Sequence, residues 1–213
     1  MQSTQTQRHR RGPGRPRAFD LEGSLDAALV VFRERGYHGA SLADLGQAMR
    51  LTPGSIYKAF ADKRAMFLAA FERYKSVRDG EIRAAIASAG TGFEKVGALL
   101  RSYAELSLGE EGRRGCLVTG SAVELATFDP QMAEQVTAAI ARIERLLGEL
   151  IREGVRDGSI EASVDVDAAS THLMSVLQGF RVLGKTGRSR ITMMAAVDQA
   201  MLTLRPRPDI PST

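Results

Sequence analysis

An all-α fold, with a three-helix helix-turn-helix head at the N-terminus and a larger helical domain behind it, is predicted by three observations. Apolar residues recur at alternating threes and fours along most of the 213-residue chain. No stretch shows the sustained two-residue alternation of a half-buried strand, and Gly or Pro interrupts the pattern at helix-length intervals. About nine helices are expected on this basis. The composition, 44% hydrophobic and 25% charged, is that of an ordinary globular protein. No window approaches the ~18 uninterrupted apolar residues of a membrane span. Residues 1–17 lack the apolar segment of a secretory signal, and the single cysteine, Cys116, excludes an internal disulfide framework. A cytoplasmic protein follows.

Charge is distributed unevenly. Residues 1–64 carry 11 Lys and Arg against 6 Asp and Glu, and the rest of the chain carries 18 against 19. The basic excess therefore belongs to the N-terminal third, which points to a polyanionic partner for that part alone: DNA, RNA or anionic lipid.

Taken in order, residues 1–17 hold Arg8, Arg10, Arg11, Arg15 and Arg17 and no aliphatic or aromatic residue after Met1, so a disordered basic arm is expected. Leu21, Leu25, Ala28, Leu29 and Phe32 then share one helical face, and Gly36 stops that helix. Ser41 caps a second, short helix with Leu42, Leu45 and Met49 on one side. The third begins at Pro53, with Thr52 as N-cap and proline in the first helical position, where no amide proton is missed. Ile56 and Phe60 give this helix an apolar face, while Gly54, Ser55, Tyr57 and Lys58 are small or hydrogen-bonding groups suited to approaching a polyanion. Helix, short helix, tight turn, short helix is the helix-turn-helix arrangement, whose last helix enters the major groove.

Asp62 or Lys63 opens a long fourth helix that fades at Gly90-Thr91-Gly92. Helical patterns continue over Phe93 to Leu108, Cys116 to Thr127, Pro130 to about Val155, Val166 to Gly184 and Ile191 to Leu204. The stretch Glu110 to Gly115 reads as a loop, with Glu110 and Glu111 as solvated acids. In the last two helices Leu173, Val176, Phe180, Leu183, Ile191, Met194 and Met201 recur at helical spacing. They either pair with their copies in a second chain as an isologous four-helix bundle or cap the core of one chain. The expected division is a basic arm at 1–17, a helix-turn-helix domain at 18–62, a ligand-binding and dimerisation domain at 63–205 and a disordered tail at 206–213.

The N-terminal segment resembles the TetR family of transcriptional regulators. The residues that carry the likeness are Gly14-Arg15-Pro16-Arg17 with Phe19-Asp20, Phe32-x-x-x-Gly36-Tyr37-x-x-x-Ser41-Leu42-x-x-Leu45, Thr52-Pro53-Gly54-Ser55-Ile56-Tyr57-x-x-Phe60, and Asp62-Lys63-x-x-Met66-Phe67. Gly115-Cys116-Leu117-Val118 looks like the start of the family's sixth helix in a large subgroup. The resemblance implies an all-α homodimer with one head per subunit, double-stranded DNA as partner, and a small-molecule effector, apolar or amphipathic, that usually releases a repressor. It implies that Ser41 and Lys63 reach phosphates, that Thr52, Gly54 and Ser55 face bases or their flanking phosphates, and that Tyr57 and Lys58 grip the backbone. Arg50 stands at a turn where the family commonly has glycine.

Arg15 and Arg17, with the rest of the arm, suit minor-groove or phosphate tracking. Pocket candidates, mixing apolar walls with a few polar groups, are Phe71, Tyr74, Tyr103, Leu106, Leu117, Ser121, Phe128, Met132, Gln135, Met174 and Gln178. Cys116 follows Arg113 and Arg114 and opens a helix, conditions that favour thiolate, so a thiol-based sensor is one alternative; a small buried hydrophobe is the other. His172 reads as a core or interface histidine, with no partner at metal spacing. No cofactor and no metal is implied. A membrane-surface or partner-binding module would need lysine and arginine on the polar face of an amphipathic helix, but the first helix carries Glu22, Asp26 and Glu34 against Arg33 and Arg35. An enzyme is disfavoured by the lack of a phosphate loop, a nucleophile elbow or a zinc cluster.

Overall fold

The computed structural model describes residues 20–205. The expected basic arm, with Arg15 and Arg17, and the expected tail lie outside the described residues. Within them the chain forms ten α-helices and no strand: α1 (Leu21–Gly39), α2 (Leu42–Met49), α3 (Pro53–Ala59), α4 (Lys63–Ala87), α5 (Gly92–Glu105), α6 (Gly109–Arg114), α7 (Leu117–Glu124), α8 (Pro130–Asp157), α9 (Val166–Gly184) and α10 (Arg190–Met201). A 3-10 turn, Leu202–Leu204, completes the last helix.

Most helix starts are fixed by a side chain within three residues. Ser41 and Asp44 form a reciprocal capping box at α2, as Thr91 and Glu94 do at α5. Thr52, Asp62, Asp129 and Ser189 each accept from a free amide at α3, α4, α8 and α10. Arg50 ends α2 at φ 56°, ψ 40°, the left-handed conformation that its place in the turn demands. The six-residue α6 replaces the loop expected there. Glu110 and Glu111 in its first turn and Arg113 and Arg114 in its last oppose the helix dipole correctly, and Gly115 closes it at φ 83°.

Two cores stack along the molecule. The lower one gathers Phe32, Leu45, Ile56, Met66, Phe67 and Phe71 from the head and α4, with Leu117 of α7, Leu125 just past its end, and Met132 and Val136 of α8. Head and body thus share one apolar cluster, in which each large buried side chain contributes about 1.5–3 kcal/mol. The upper core packs α5, α8, α9 and α10 through Leu99, Leu100, Leu147, Ile151, Leu173 and Leu177. There α5 and α8 cross so closely that a Cβ on Gly92 would stand 2.1 Å from the Gly154 nitrogen.

That upper core corrects part of the interface reading. Leu173, Phe180 and Met201 are buried within a single chain, and Val176 and Met194 are half-buried against the same cluster, because α9 and α10 spend their inner stripe on α5 and α8. Leu183 and Ile191 remain exposed, together with Val182 and Leu202. His172 is exposed on α9 rather than in the core.

Candidate nucleic-acid interface and internal cavity

Helix α3 is attached through Ile56, with Phe60 just past its end, at 3% and 7% exposure; Thr52, Pro53, Gly54, Tyr57 and Lys58 are all exposed. Tyr57 is 59% exposed, an unusual position for a tyrosine that packs on nothing. Beside Gly54 there is open space, so the backbone there can be approached closely. Thr52 Oγ1 accepts from the Ser55 amide at 3.3 Å and lies 3.0 Å from Ser55 Oγ, so the two hydroxyls are partnered with each other. Ser41 is likewise occupied: its hydroxyl donates to Asp44 Oδ2 at 2.6 Å and accepts from the Asp44 amide. A phosphate at Ser41 has to displace that carboxylate. Lys63 sits with Nζ 4.7 Å from the Tyr37 ring centroid, a cation–π contact at the joint between α3 and α4. Arg50, exposed in the turn before α3, adds a cation to this surface that the spacing argument passed over.

The head is tied to the body by polar links. Arg33 of α1, its side chain 6% exposed, donates through Nε and Nη2 to the Gly115 carbonyl at 2.8 and 2.6 Å and pairs with the Glu111 carboxylate at 2.8 Å. Glu111 also binds Arg78 of α4 at 2.5 Å. It is therefore a half-buried bridge between head and body, not the solvated acid expected. Further along α1, Glu124 at the end of α7 accepts from the amides of Tyr37 and His38 at 2.9 and 2.8 Å. Gly36 makes this possible, since it lies at φ 72° and a Cβ there would be 2.5 Å from the Glu124 carboxylate.

Above this junction, between α4, α5, α7, α8 and α9, lies a cavity with about 50 Å³ open to water-sized molecules. Its apolar wall includes Ile82, Leu106, Val118, Ile140, Ile143 and Met174; its polar wall includes Tyr74, Tyr103, Gln178, Lys75, Arg78, Arg142 and Arg181. Five of the candidates, Tyr74, Tyr103, Leu106, Met174 and Gln178, line it. Gln135 stands at its edge, accepting from Lys75 Nζ at 3.1 Å. Phe71, Leu117 and Met132 are buried in the lower core instead, and Ser121 turns its hydroxyl to the Leu117 carbonyl at 2.7 Å. Phe128 is 83% exposed, because the chain turns outward after α7.

The cations were missed because arginine is ordinarily read as solvated. A usable signal existed at Arg181, which directly follows Phe180 in the buried stripe of α9. Its Nη1 donates to the Leu106 carbonyl at 2.5 Å and to Ser107 Oγ at 3.1 Å, and its Nη2 lies 3.4 Å from both Tyr74 Oη and the Gly115 carbonyl. The Tyr74 ring also lies within 5.5 Å of the Arg33 guanidinium and 5.1 Å of that of Arg78. Burial, and then the neighbouring Cys116, push the Tyr74 hydroxyl up to about 12. Cys116, at the N-terminus of α7, is another wall of the cavity. Burial pushes its thiol up, but the Arg181 charge and hydrogen bonds from Tyr74 and Thr119 outweigh this and hold it below the ordinary thiol value. The cation beside it comes from α9. Arg113 points to solvent, and Arg114 is engaged with Glu34 and Glu110. Among the described residues no three His, Cys, Asp or Glu side chains converge as a metal site.

Comparison with known proteins covers head and body alike. Residues 25–70 match the family described as bacterial regulatory proteins, tetR family, and residues 92–200 match the tetracyclin repressor-like C-terminal domain. The chain is 26% identical over 211 residues to the HTH-type transcriptional repressor ComR of Escherichia coli (strain K12), covering 99% of each protein. A cysteine-substituted form of the TetR family transcriptional regulator CifR, solved with 26-bp double-strand operator DNA, matches with a TM-score of 0.79 at 34% identity, over 88% of this chain and 98% of that one. A TetR family regulator from Cytophaga hutchinsonii shares the fold, with a TM-score of 0.75 at 21% identity over 86% and 92% of the two chains. The chain belongs to the TetR family of transcriptional regulators.

Proposed function

We propose that this protein is a cytoplasmic, dimeric repressor that holds a palindromic operator through α3 and releases it when a small molecule enters the cavity. The observation that carries this reading is the continuity of α4. Its first residue, Lys63, stands beside the recognition helix, and about three and four turns later Tyr74 and Arg78 line the cavity. Displacing those side chains tilts α4 and with it the head. Paired heads must meet half-sites about one helical turn, ~34 Å, apart, so a small change in their separation is enough to lose the operator.

On DNA, Tyr57 and Lys58 contact the backbone, while Thr52, Gly54 and Ser55 lie closest to the bases. Dimerisation uses the outer faces of α9 and α10, where Val182, Leu183 and Ile191, with Leu202 just past α10, are exposed apolar side chains. Selection of bound DNA from a random pool tests the reading: enrichment of an inverted repeat supports it, and recovery of no palindromic site refutes it.

A further inference from the structure

The charges around the cavity are unevenly paired. Arg142 is paired with Asp79, Lys75 with Glu72, and Arg78 with Glu81 and Glu111. Arg181, at 3% exposure, meets carbonyls, hydroxyls and the Cys116 thiol; no carboxylate among the described residues lies within ion-pair distance of it. An uncompensated buried guanidinium is costly, and proteins ordinarily avoid it. A second observation points the same way. Nε of Arg78, on the wall of the same cavity, is buried with no acceptor among the described residues. Two arginines with unspent capacity thus face one cavity whose remaining wall mixes aliphatic residues with polar ones, Asp79 among them, the latter already paired with Arg142.

We propose that the effector is a small amphipathic monocarboxylate whose carboxylate is bound by Arg181 and Arg78 Nε and whose apolar part lies against Ile82, Ile140, Ile143 and Met174. This rests on the reading of the cavity as the effector site. Charge-assisted bonds to guanidinium match a carboxylate, and the apolar wall accepts the chain. An amine meets like charge at the same point, and an alcohol leaves Arg181 uncompensated.

Cys116 is the other group able to supply negative charge. Attack of its sulfur on an electrophile would leave Arg181 still without a carboxylate, so an anion satisfies the cavity better. About 50 Å³ holds roughly three or four waters, which is too small for an acid of several carbons. Entry therefore requires the walls to part, and binding is coupled to movement. The anion takes Arg78 Nε, beside the Nη2 that Glu111 holds. Glu111 also grips Arg33 of the head.

The test uses the full-length protein with hexanoate, benzoate and phenylacetate, each against its alcohol and amine analogues, read by calorimetry and by the melting temperature. At least one acid is expected to bind and raise Tm while its analogues at equal concentration do not. Arg78→Gln is expected to weaken that acid at least tenfold, and Arg181→Lys, which keeps the charge, to weaken it less than Arg181→Gln. Arg78→Gln matters because loss of Arg181 also frees the Leu106 and Gly115 carbonyls and can unfold the chain. Equal response to acid and alcohol, preference for the amine, or no response to any acid overturns the proposal. So does operator release by iodoacetamide with none by the acids. Operator anisotropy separates the two readings. An acid that binds without releasing DNA leaves the anion site standing and removes its effector role, whereas failure to hold any operator refutes the regulator itself.

Discussion

On α3, Tyr57 and Lys58 stand in solvent and are joined to the protein only through Ile56 and Phe60. Around the cavity, by contrast, Lys75, Arg78, Arg142 and Arg181 are each engaged by at least one group 33 to 107 residues away in sequence. The outer face of α3 is polar because nothing covers it, and the cavity is polar although almost everything does. The difference assigns separate costs. Substitution at Tyr57 or Lys58 touches no packed group and leaves the folding alone; substitution at the cavity and the junction beneath it does not.

The largest effect expected is from Phe71→Ala, just below the cavity. This side chain is fully buried, and its loss is expected to destabilise the fold by about 3–5 kcal/mol in urea titration. A loss under about 1 kcal/mol would mean that the lower core is not packed around α4. Arg33→Met comes next, at about 2–3 kcal/mol. It leaves the Gly115 carbonyl only the longer bond from Arg181 and leaves Glu111 with Arg78, so the loss is smaller than for a fully orphaned charge. Unchanged stability in that variant would break the contrast between surface and interior.

Tyr57→Ala combined with Lys58→Ala is expected to cost at least tenfold in operator affinity and to lower the salt slope by about one, with stability within about 0.5 kcal/mol. Unchanged affinity and slope would show that α3 is not the reading helix. The smallest effect is one of pH. Burial raises the Glu111 carboxyl, but the hydrogen bond and charge of Arg33 and the charge of Arg78 outweigh it, so its folded value lies below the ordinary 4.5. Stability from this group is therefore fully present above 4.5 and lost as pH falls through the depressed value. Glu111→Gln should flatten that part of the acid unfolding curve, and an unchanged curve would show that the bridge contributes nothing.

What was legible in the sequence was what is local. Ser41, Thr52 with Pro53, and Asp62 act within three residues of themselves, so helix starts and the head could be read from spacing alone. Helix α6 could not. It has no apolar period of its own and is held by Arg33 and Arg181, 66 to 82 residues away. The cavity was half legible, since aromatic and Met positions on α4, α5 and α9 point inward with their helices. Phe128 misled because an aromatic residue beyond a helix end carries no register. Leu173, Phe180 and Met201 show the remaining limit: helical period marks a buried stripe without saying whose surface buries it.

The carboxylate of Glu124 closes over two backbone amides exactly where α1 bends at Gly36. Those amides can trade their hydrogens with solvent only when the end of α7 lets go of the head. Tyr37 and His38 are thus a built-in clock for that release, read as hydrogen-exchange rates at two adjacent positions in the native protein. An effector that works through the junction should quicken both together.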